Sequence, residues 1–226
     1  MPTINMLYKP RKDLATTREI QELTNEEKFP KLLGDDYTPV LGKVLYDAVI
    51  ERKPKTILEF GTGDGFTTLC MAAALKEIGD QDSIIYTYDW IDNSRLGGMD
   101  GYVKQYLLMG GEIQRLGVSE KIEAGFKDFY KWIDTADYVE SFDFLYVDVG
   151  NTAKTIKLLR EKLKNNIDAG ATIFFEGGGE ERDAFTGDAE KSYWKRCQNH
   201  SAIHKLKDEL KFEVMADSKP CISKFI

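Results

Sequence analysis

The chain has 226 residues, 42% hydrophobic and 31% charged, with a net charge of −7. That length buries a full α/β core with room for an N-terminal addition, and the acidic balance argues against general nucleic-acid or anionic-membrane binding. No apolar run approaches the roughly 18–20 residues of a membrane span. The opening MPTINMLYKPRKDL has no signal-peptide core, and the three scattered cysteines (Cys70, Cys197, Cys221) read as free thiols of a cytoplasmic protein.

Residues 1–35 are polar and read as a helical cap or lid, and residues 36–226 as the main domain. In Tyr37–Ile50 Pro39 suits a first helical turn, and Val40, Val44, Leu45, Ala48 and Val49 share one face. Pro54 ends that helix. Thr56–Phe60 reads as a first strand and Phe66–Ile78 as a helix. Ser83–Asp89 is a second strand, and Tyr102–Leu116 a helix that Gly110 and Gly111 can kink. Lys121–Ala124 is a short third strand, Phe126–Thr135 a helix, and Phe142–Asp148 a strong fourth strand. Thr152–Lys164 is a helix with Ile156, Leu159 and Leu163 on one face, and Ala171–Glu176 is a fifth strand. A glycine-rich loop and a helix over Ala189–Lys207 follow. Lys211–Met215 and Cys221–Ile226, joined by the turn signal ADSKP, form an antiparallel hairpin.

Five strand–helix units and a hairpin predict a doubly wound, mostly parallel sheet with helices on both faces. Ligands of such sheets sit at the carboxyl ends of the strands, near the topological switch point. The segment Lys55–Cys70, KTILEFGTGDGFTTLC, places Glu59, Gly61, Thr62, Gly63 and Gly65 there. Glycines supply positive φ and close backbone approach, and the helix after them offers free N–H groups. Asp89 ends the second strand, where a carboxylate can accept from both ribose hydroxyls. Nicotinamide folds carry G-x-G-x-x-G, whereas this turn is G-x-G-x-G preceded by an acid. Glu59 would repel a pyrophosphate and suit a cationic amino-acid cofactor.

Together, Glu59–Gly65, Asp89, FDFLYVD at Phe142–Asp148 and AGATIFFE at Ala169–Glu176 resemble the class I S-adenosylmethionine-dependent methyltransferases. The resemblance covers residues 36–226 and implies a Rossmann-like seven-stranded sheet with a C-terminal antiparallel hairpin. It implies that Gly61, Gly63 and Gly65 pass under the methionine part of S-adenosylmethionine and that Glu59 helps hold its amino group. Asp89 would bind the ribose, Trp90 would lie against adenine or ribose, and Gly125 and Phe126 would contact adenine. Asp148 would lie near the methyl group and the substrate. For Trp90 and Phe126, plain packing is the competing reading.

Within the family the pattern is most similar to small-molecule O-methyltransferases of the catechol and caffeoyl-CoA type. Those hold a divalent metal with an Asp after strand four and an Asp-Asn after strand five, and use a Lys three residues past the first Asp. Asp148 matches the first ligand and Glu176 replaces the second, but Gly177 and Asn151 stand at the other two positions. Two carboxylates with waters could satisfy Mg²⁺, yet the altered positions disfavour a metal, and no metal ligand is assigned. Asp148 is the candidate catalytic residue, with Glu176, Glu180, Glu181 and Asp183 as other carboxylates in reach. Lys154 reads as a solvated helix lysine. Gly177–Asn199, with Arg182, Phe185, Tyr193 and Trp194, is expected to shape the substrate pocket. His200 and His204, spaced i, i+4, read as a helix-surface pair.

The expected function is methyl transfer from S-adenosylmethionine to a small-molecule hydroxyl, with a homodimer left open. A dinucleotide-dependent oxidoreductase and a non-catalytic cofactor-binding protein of the same fold are the alternatives.

Overall fold

The computed structural model describes residues 39–63, 65–89, 116–135, 142–150, 152–180, 201–216 and 221–226. The proposed cap over residues 1–35 lies outside them, as does nearly all of the helix expected over Tyr102–Leu116. Trp90, Asn151, Arg182, Tyr193, Trp194 and His200 also lie outside.

In chain order the elements are α1 (Pro39–Arg52), β1 (Thr56–Phe60), α2 (Phe66–Ile78), β2 (Ile84–Asp89), a 3₁₀ turn (Ser119–Lys121) and β3 (Ile122–Phe126). Next come α3 (Phe129–Asp134), β4 (Phe144–Val147), α4 (Ala153–Lys162), α5 (Lys164–Asp168) and β5 (Thr172–Glu176). The chain closes with α6 (Ser201–His204), α7 (Lys207–Leu210), β6 (Phe212–Ala216) and β7 (Ile222–Phe225). The strands form one seven-stranded sheet in the order β3-β2-β1-β4-β5-β7-β6, parallel except for β7, which is antiparallel to both β5 and β6. The doubly wound sheet with a C-terminal hairpin is the expected architecture, and its switch point falls between β1 and β4.

Side chains alternate across the strands, so the sheet feeds two cores. Ile57, Ile85, Phe144, Tyr146 and Phe174 pack with Leu45, Val49, Met71 and Leu75 of α1 and α2. Leu58, Phe60, Leu145, Val147, Ile173 and Phe175 pack on the opposite face with Phe129, Trp132, Ile156 and Leu159. Both faces of the central strands are covered, which is why their sequences read as near-continuous apolar runs. α1 and α2 approach closely at Gly42, where a Cβ would come 2.7 Å from the Phe66 ring and 2.8 Å from Cys70 Sγ. Tyr46 reaches across from α1 to hydrogen-bond Glu77, and burial together with that carboxylate pushes its phenol well up.

Several boundaries move for identifiable reasons. Lys121 is in the 3₁₀ turn, not in β3, because its ammonium is drawn onto the carbonyls of Asp80 and Gln81. β3 then runs on through Phe126, and Asp128 starts α3 by accepting from the Tyr130 and Lys131 N–H groups, so the helix begins at Phe129. The helix expected over Thr152–Lys164 divides at Leu163 into α4 and α5. The described end of the helix expected over Ala189–Lys207 divides between His204 and Lys207. Cys70 and Cys221 are buried free thiols, as the free-thiol reading expects, and burial raises the Cys70 thiol far above its ordinary value.

Candidate functional site

The carboxyl ends of β1, β2 and β4 converge on the turn Gly61–Gly65. Gly61 donates its N–H to the Tyr88 carbonyl at 2.8 Å, and Asp148 donates its N–H to the Phe60 carbonyl at 2.7 Å. The turn is thereby fixed to β2 on one side and meets the end of β4 on the other.

The three glycines of the turn answer to three different demands. Gly61 has φ +99, and a Cβ there would stand 1.9 Å from the Asp148 carbonyl oxygen, so it is excluded by the strand ends themselves. Gly65 has φ 80 and caps α2 without a side-chain hydrogen bond, its N–H donating to the Thr62 carbonyl at 2.7 Å. Gly63 has φ +52, with nothing within 4 Å of where its Cβ would stand. At the carboxyl edge, Gly63 combines a positive φ with open space, which is the cradle a closely approaching ligand needs.

Asp89 sits beside that cradle. Its Oδ2 accepts from the Gly63 N–H at 3.0 Å, and its carbonyl accepts from the Lys127 N–H at 3.3 Å. Gly125 and Phe126 are the last two residues of β3 rather than the loop beyond it, and Phe126 is in register with Asp89. Phe126 is 49% exposed and is not a core residue. A Cβ on Gly125 would be 3.3 Å from the Tyr88 ring, and the Lys127 ammonium lies 4.1 Å from that ring's centroid. Asp148, just past β4, is half-buried across the switch point.

Glu59 is placed differently from the other site residues. It is fully buried, on the α1–α2 face of β1, in register with Thr87 on β2 and Tyr146 on β4. Its Oε1 accepts from Thr67 Oγ1 at 2.5 Å, and its Oε2 accepts from Thr87 Oγ1 at 2.7 Å and from Thr68 Oγ1. Burial pushes its carboxyl up to about 7; the three hydroxyls oppose that, and the Asp148 charge adds to it. Thr67, Thr68 and Thr87 were not singled out by motif reading. Their signal was a pair of threonines in the first turn of a helix and a third on the next strand, a polar set on an otherwise apolar face.

At the end of β5 the chain turns onto the hairpin. The Gly177 N–H donates to the Cys221 carbonyl at 3.0 Å, and Ser223 Oγ donates to the Gly177 carbonyl at 2.7 Å. His204 donates from Nδ1 to the Gly178 carbonyl at 2.8 Å. His204, half-buried at the end of α6, is therefore a tether of this loop. A Cβ on Gly178 would come 2.6 Å from Ser223 Oγ and 2.9 Å from the Phe212 ring. The Gly177 and Gly178 carbonyls, oxygens a hard cation could use, are engaged by protein donors. No group of three or more His, Cys, Asp or Glu among the described residues is arranged to hold a metal. Glu176, at the second ligand position, is itself buried at the end of β5, and no step is routed through a metal.

A family model described as a methyltransferase domain matches residues 58–176, more than half of the chain. No curated protein matches the sequence. Solved structures share the fold at low identity. The Podospora anserina methyltransferase PaMTH1, bound to S-adenosylhomocysteine, is 16% identical with a TM-score of 0.59, over 98% of this chain and 90% of that one. The O-methyltransferase from Bacillus cereus, in complex with S-adenosylhomocysteine, is 16% identical with a TM-score of 0.55, over 98% and 94%. The Streptomyces achromogenes O-methyltransferase TomG, involved in tomaymycin synthesis and solved with S-adenosylmethionine, is 17% identical with a TM-score of 0.54, over 98% and 92%.

Proposed function

Because the chain belongs to the methyltransferase-domain family, we propose that it moves the methyl group of S-adenosylmethionine to a hydroxyl of a small molecule. The observation that carries this reading is the open cradle at Gly63 beside the Asp89 carboxylate, with Asp148 across the switch point. The structural relatives solved with S-adenosylmethionine or S-adenosylhomocysteine support the same cofactor here. When bound, that cofactor supplies a methyl group already activated on a cationic sulfonium.

The chain's own residues then bind, align and accept a proton. Gly63 lets ligand atoms approach the backbone, and Asp89 accepts from the ribose hydroxyls while its Oδ2 also holds the turn. Phe126 offers an exposed aromatic face to the adenine, and Trp90, Gly125 and Gly65 complete the proposed binding set. Holding the acceptor oxygen in line behind the methyl group is the main catalytic task, since alignment replaces a bimolecular encounter. The acceptor hydroxyl loses its proton as its oxygen takes the methyl group, and in this reading the Asp148 carboxylate receives it. Residues 36–226 form the catalytic domain in this reading, residues 1–35 cap it, and the protein is cytoplasmic with a small-molecule substrate. The net charge of −7 argues against a nucleic-acid substrate.

Isothermal titration calorimetry with S-adenosylhomocysteine tests the cofactor. The wild-type chain is expected to bind at micromolar levels, and Asp89→Ala to weaken binding about tenfold or more through loss of charge-assisted hydrogen bonds. Binding of NAD without binding of S-adenosylhomocysteine would replace this reading with the oxidoreductase one.

A further inference from the structure

The acid before the glycine turn sits where a direct contact with the cofactor's amino group is the simple expectation, but its surroundings point elsewhere. Alternation along β1 puts Ile57 and Glu59 on the face covered by α1 and α2, so the Glu59 side chain runs beneath the first turn of α2. Both carboxylate oxygens are taken, by Thr67 on one side and by Thr68 and Thr87 on the other.

The direction of every hydrogen bond in this cluster follows from proton counting. Above about pH 7 the Glu59 carboxyl is ionised and only accepts, so Thr67, Thr68 and Thr87 each spend their single hydroxyl proton on it. Thr87 Oγ1 also lies 2.6 Å from Thr62 Oγ1. With its proton committed, Thr87 can only accept there, so Thr62 is the donor. Thr62 is the middle residue of Gly61–Thr62–Gly63 and is itself buried. The chain of donors therefore runs from the glycine turn through β2 to the carboxylate on β1. The next residue of the turn, Gly63, is fixed to Asp89, two positions beyond Thr87 on the same strand. Consecutive turn residues are thus fastened to consecutive same-face residues of β2, and Glu59 orients the first of the two fastenings.

We propose that Glu59 is a positioning residue of the cofactor site, acting on the glycine turn through Thr87 and Thr62 and not by touching the bound cofactor. The inference rests on the S-adenosylmethionine reading and goes beyond it by assigning Thr62 and Thr87 to the same unit. The ammonium end of the cofactor is left to other groups.

The test uses two ligands that differ in the amino-acid part. S-adenosylhomocysteine carries the ammonium and carboxylate, and 5′-methylthioadenosine carries neither. Affinities of the full chain are measured by calorimetry for wild type, Glu59→Gln, Thr87→Val and Thr62→Val, with thermal unfolding as the check that each variant is folded. Each variant is expected to lose about tenfold for both ligands alike, the size of one charge-linked hydrogen bond. Glu59→Gln combined with Thr87→Val should lose no more than either alone, since both break one relay. Thr87→Ser, which keeps the hydroxyl, should restore wild-type affinity. If Glu59→Gln does not fold, the two valine variants and the serine rescue decide the matter.

A loss confined to S-adenosylhomocysteine would mean that Glu59 meets the ammonium directly, and would overturn the proposal. So would wild-type affinities in Thr62→Val and Thr87→Val. A wild-type chain that fails to bind S-adenosylhomocysteine overturns the cofactor reading and this inference with it. Binding by the wild type with no loss in the variants overturns this inference alone.

Discussion

A fully buried carboxyl held by three threonine hydroxyls is an uncommon choice on an apolar sheet face, and it leaves a pH signature. The folded-state value for Glu59 is about 7 against an ordinary 4.5, with burial as the largest cause. Between those values the folded chain holds a proton that the unfolded chain releases. The resulting stability is fully present below about pH 4.5 and is lost as the pH rises through about 7. At about 1.4 kcal/mol per pH unit the change is on the order of 3 kcal/mol. Urea unfolding of the wild type is therefore expected to show stability falling from pH 5 to pH 7.5 through this group, and Glu59→Gln to remove that part of the slope. A wild-type slope unchanged by the substitution would place the titration elsewhere. Cys70, which lies close enough to feel the Glu59 charge, stays neutral throughout because burial raises its thiol.

The glycine turn shows how one motif divides its work between folding and binding. Gly61 is required because β1 and β4 end so close together that a Cβ would overlap the Asp148 carbonyl, 1.9 Å away. Gly61→Ala is expected to cost about 3 kcal/mol or more, combining overpacking against backbone with a left-handed alanine. Gly63→Ala pays only the conformational part, about 1 kcal/mol, because nothing lies within 4 Å of the new methyl group. The methyl would instead enter the open cradle, so Gly63→Ala should remain folded and bind S-adenosylhomocysteine poorly. Denaturant unfolding and calorimetry on the two variants separate the roles. Equal stability losses would refute the division. The spacing G-x-G-x-G marks the turn in the sequence, but it does not say which glycine serves which purpose. That depends on Asp148, brought alongside by the β1–β4 pairing.

At the scale of the whole molecule, the hairpin decides what the fifth strand can do. β7 pairs with β5, and its Ser223, with Cys221 just before it and with His204 and Phe212, holds Gly177 and Gly178 against the hairpin. The Gly177 and Gly178 carbonyl oxygens are committed to this packing. After incubation with excess Mg²⁺ or Mn²⁺ and desalting, the protein is expected to retain no stoichiometric metal by elemental analysis. One equivalent retained would restore the catechol-type arrangement. Chain-order reading placed Glu176 and Gly177 at the end of a strand, but Ser223, 46 residues beyond Gly177, was out of its reach.

Much of this molecule is written locally. The bounds of β1 and α2 follow from the apolar run Thr56–Phe60, the glycines after it and the amphipathic segment Phe66–Ile78. The alternation of strands and helices, with a closing hairpin, is enough to set the sheet's class and hence the edge where a ligand sits. Burial patterns and turn chemistry depend on near neighbours in the chain, so the sequence carries them. The boundary of β3 was less legible, because a capping Asp128 and a backbone bond to Asp89 outweigh the aromatic pattern of Phe126–Tyr130. The direction of Glu59 was not legible at all. Its position at a strand end suggested a ligand contact, and only the register of β1 against β2 puts Thr87, 28 residues away, opposite it. The sequence by itself determined which residues gather at the carboxyl edge of the sheet. The tertiary structure alone decided which of them are buried beneath α2 and which border open space, because a side chain's partner is set by strand register and helix packing between segments far apart in the chain.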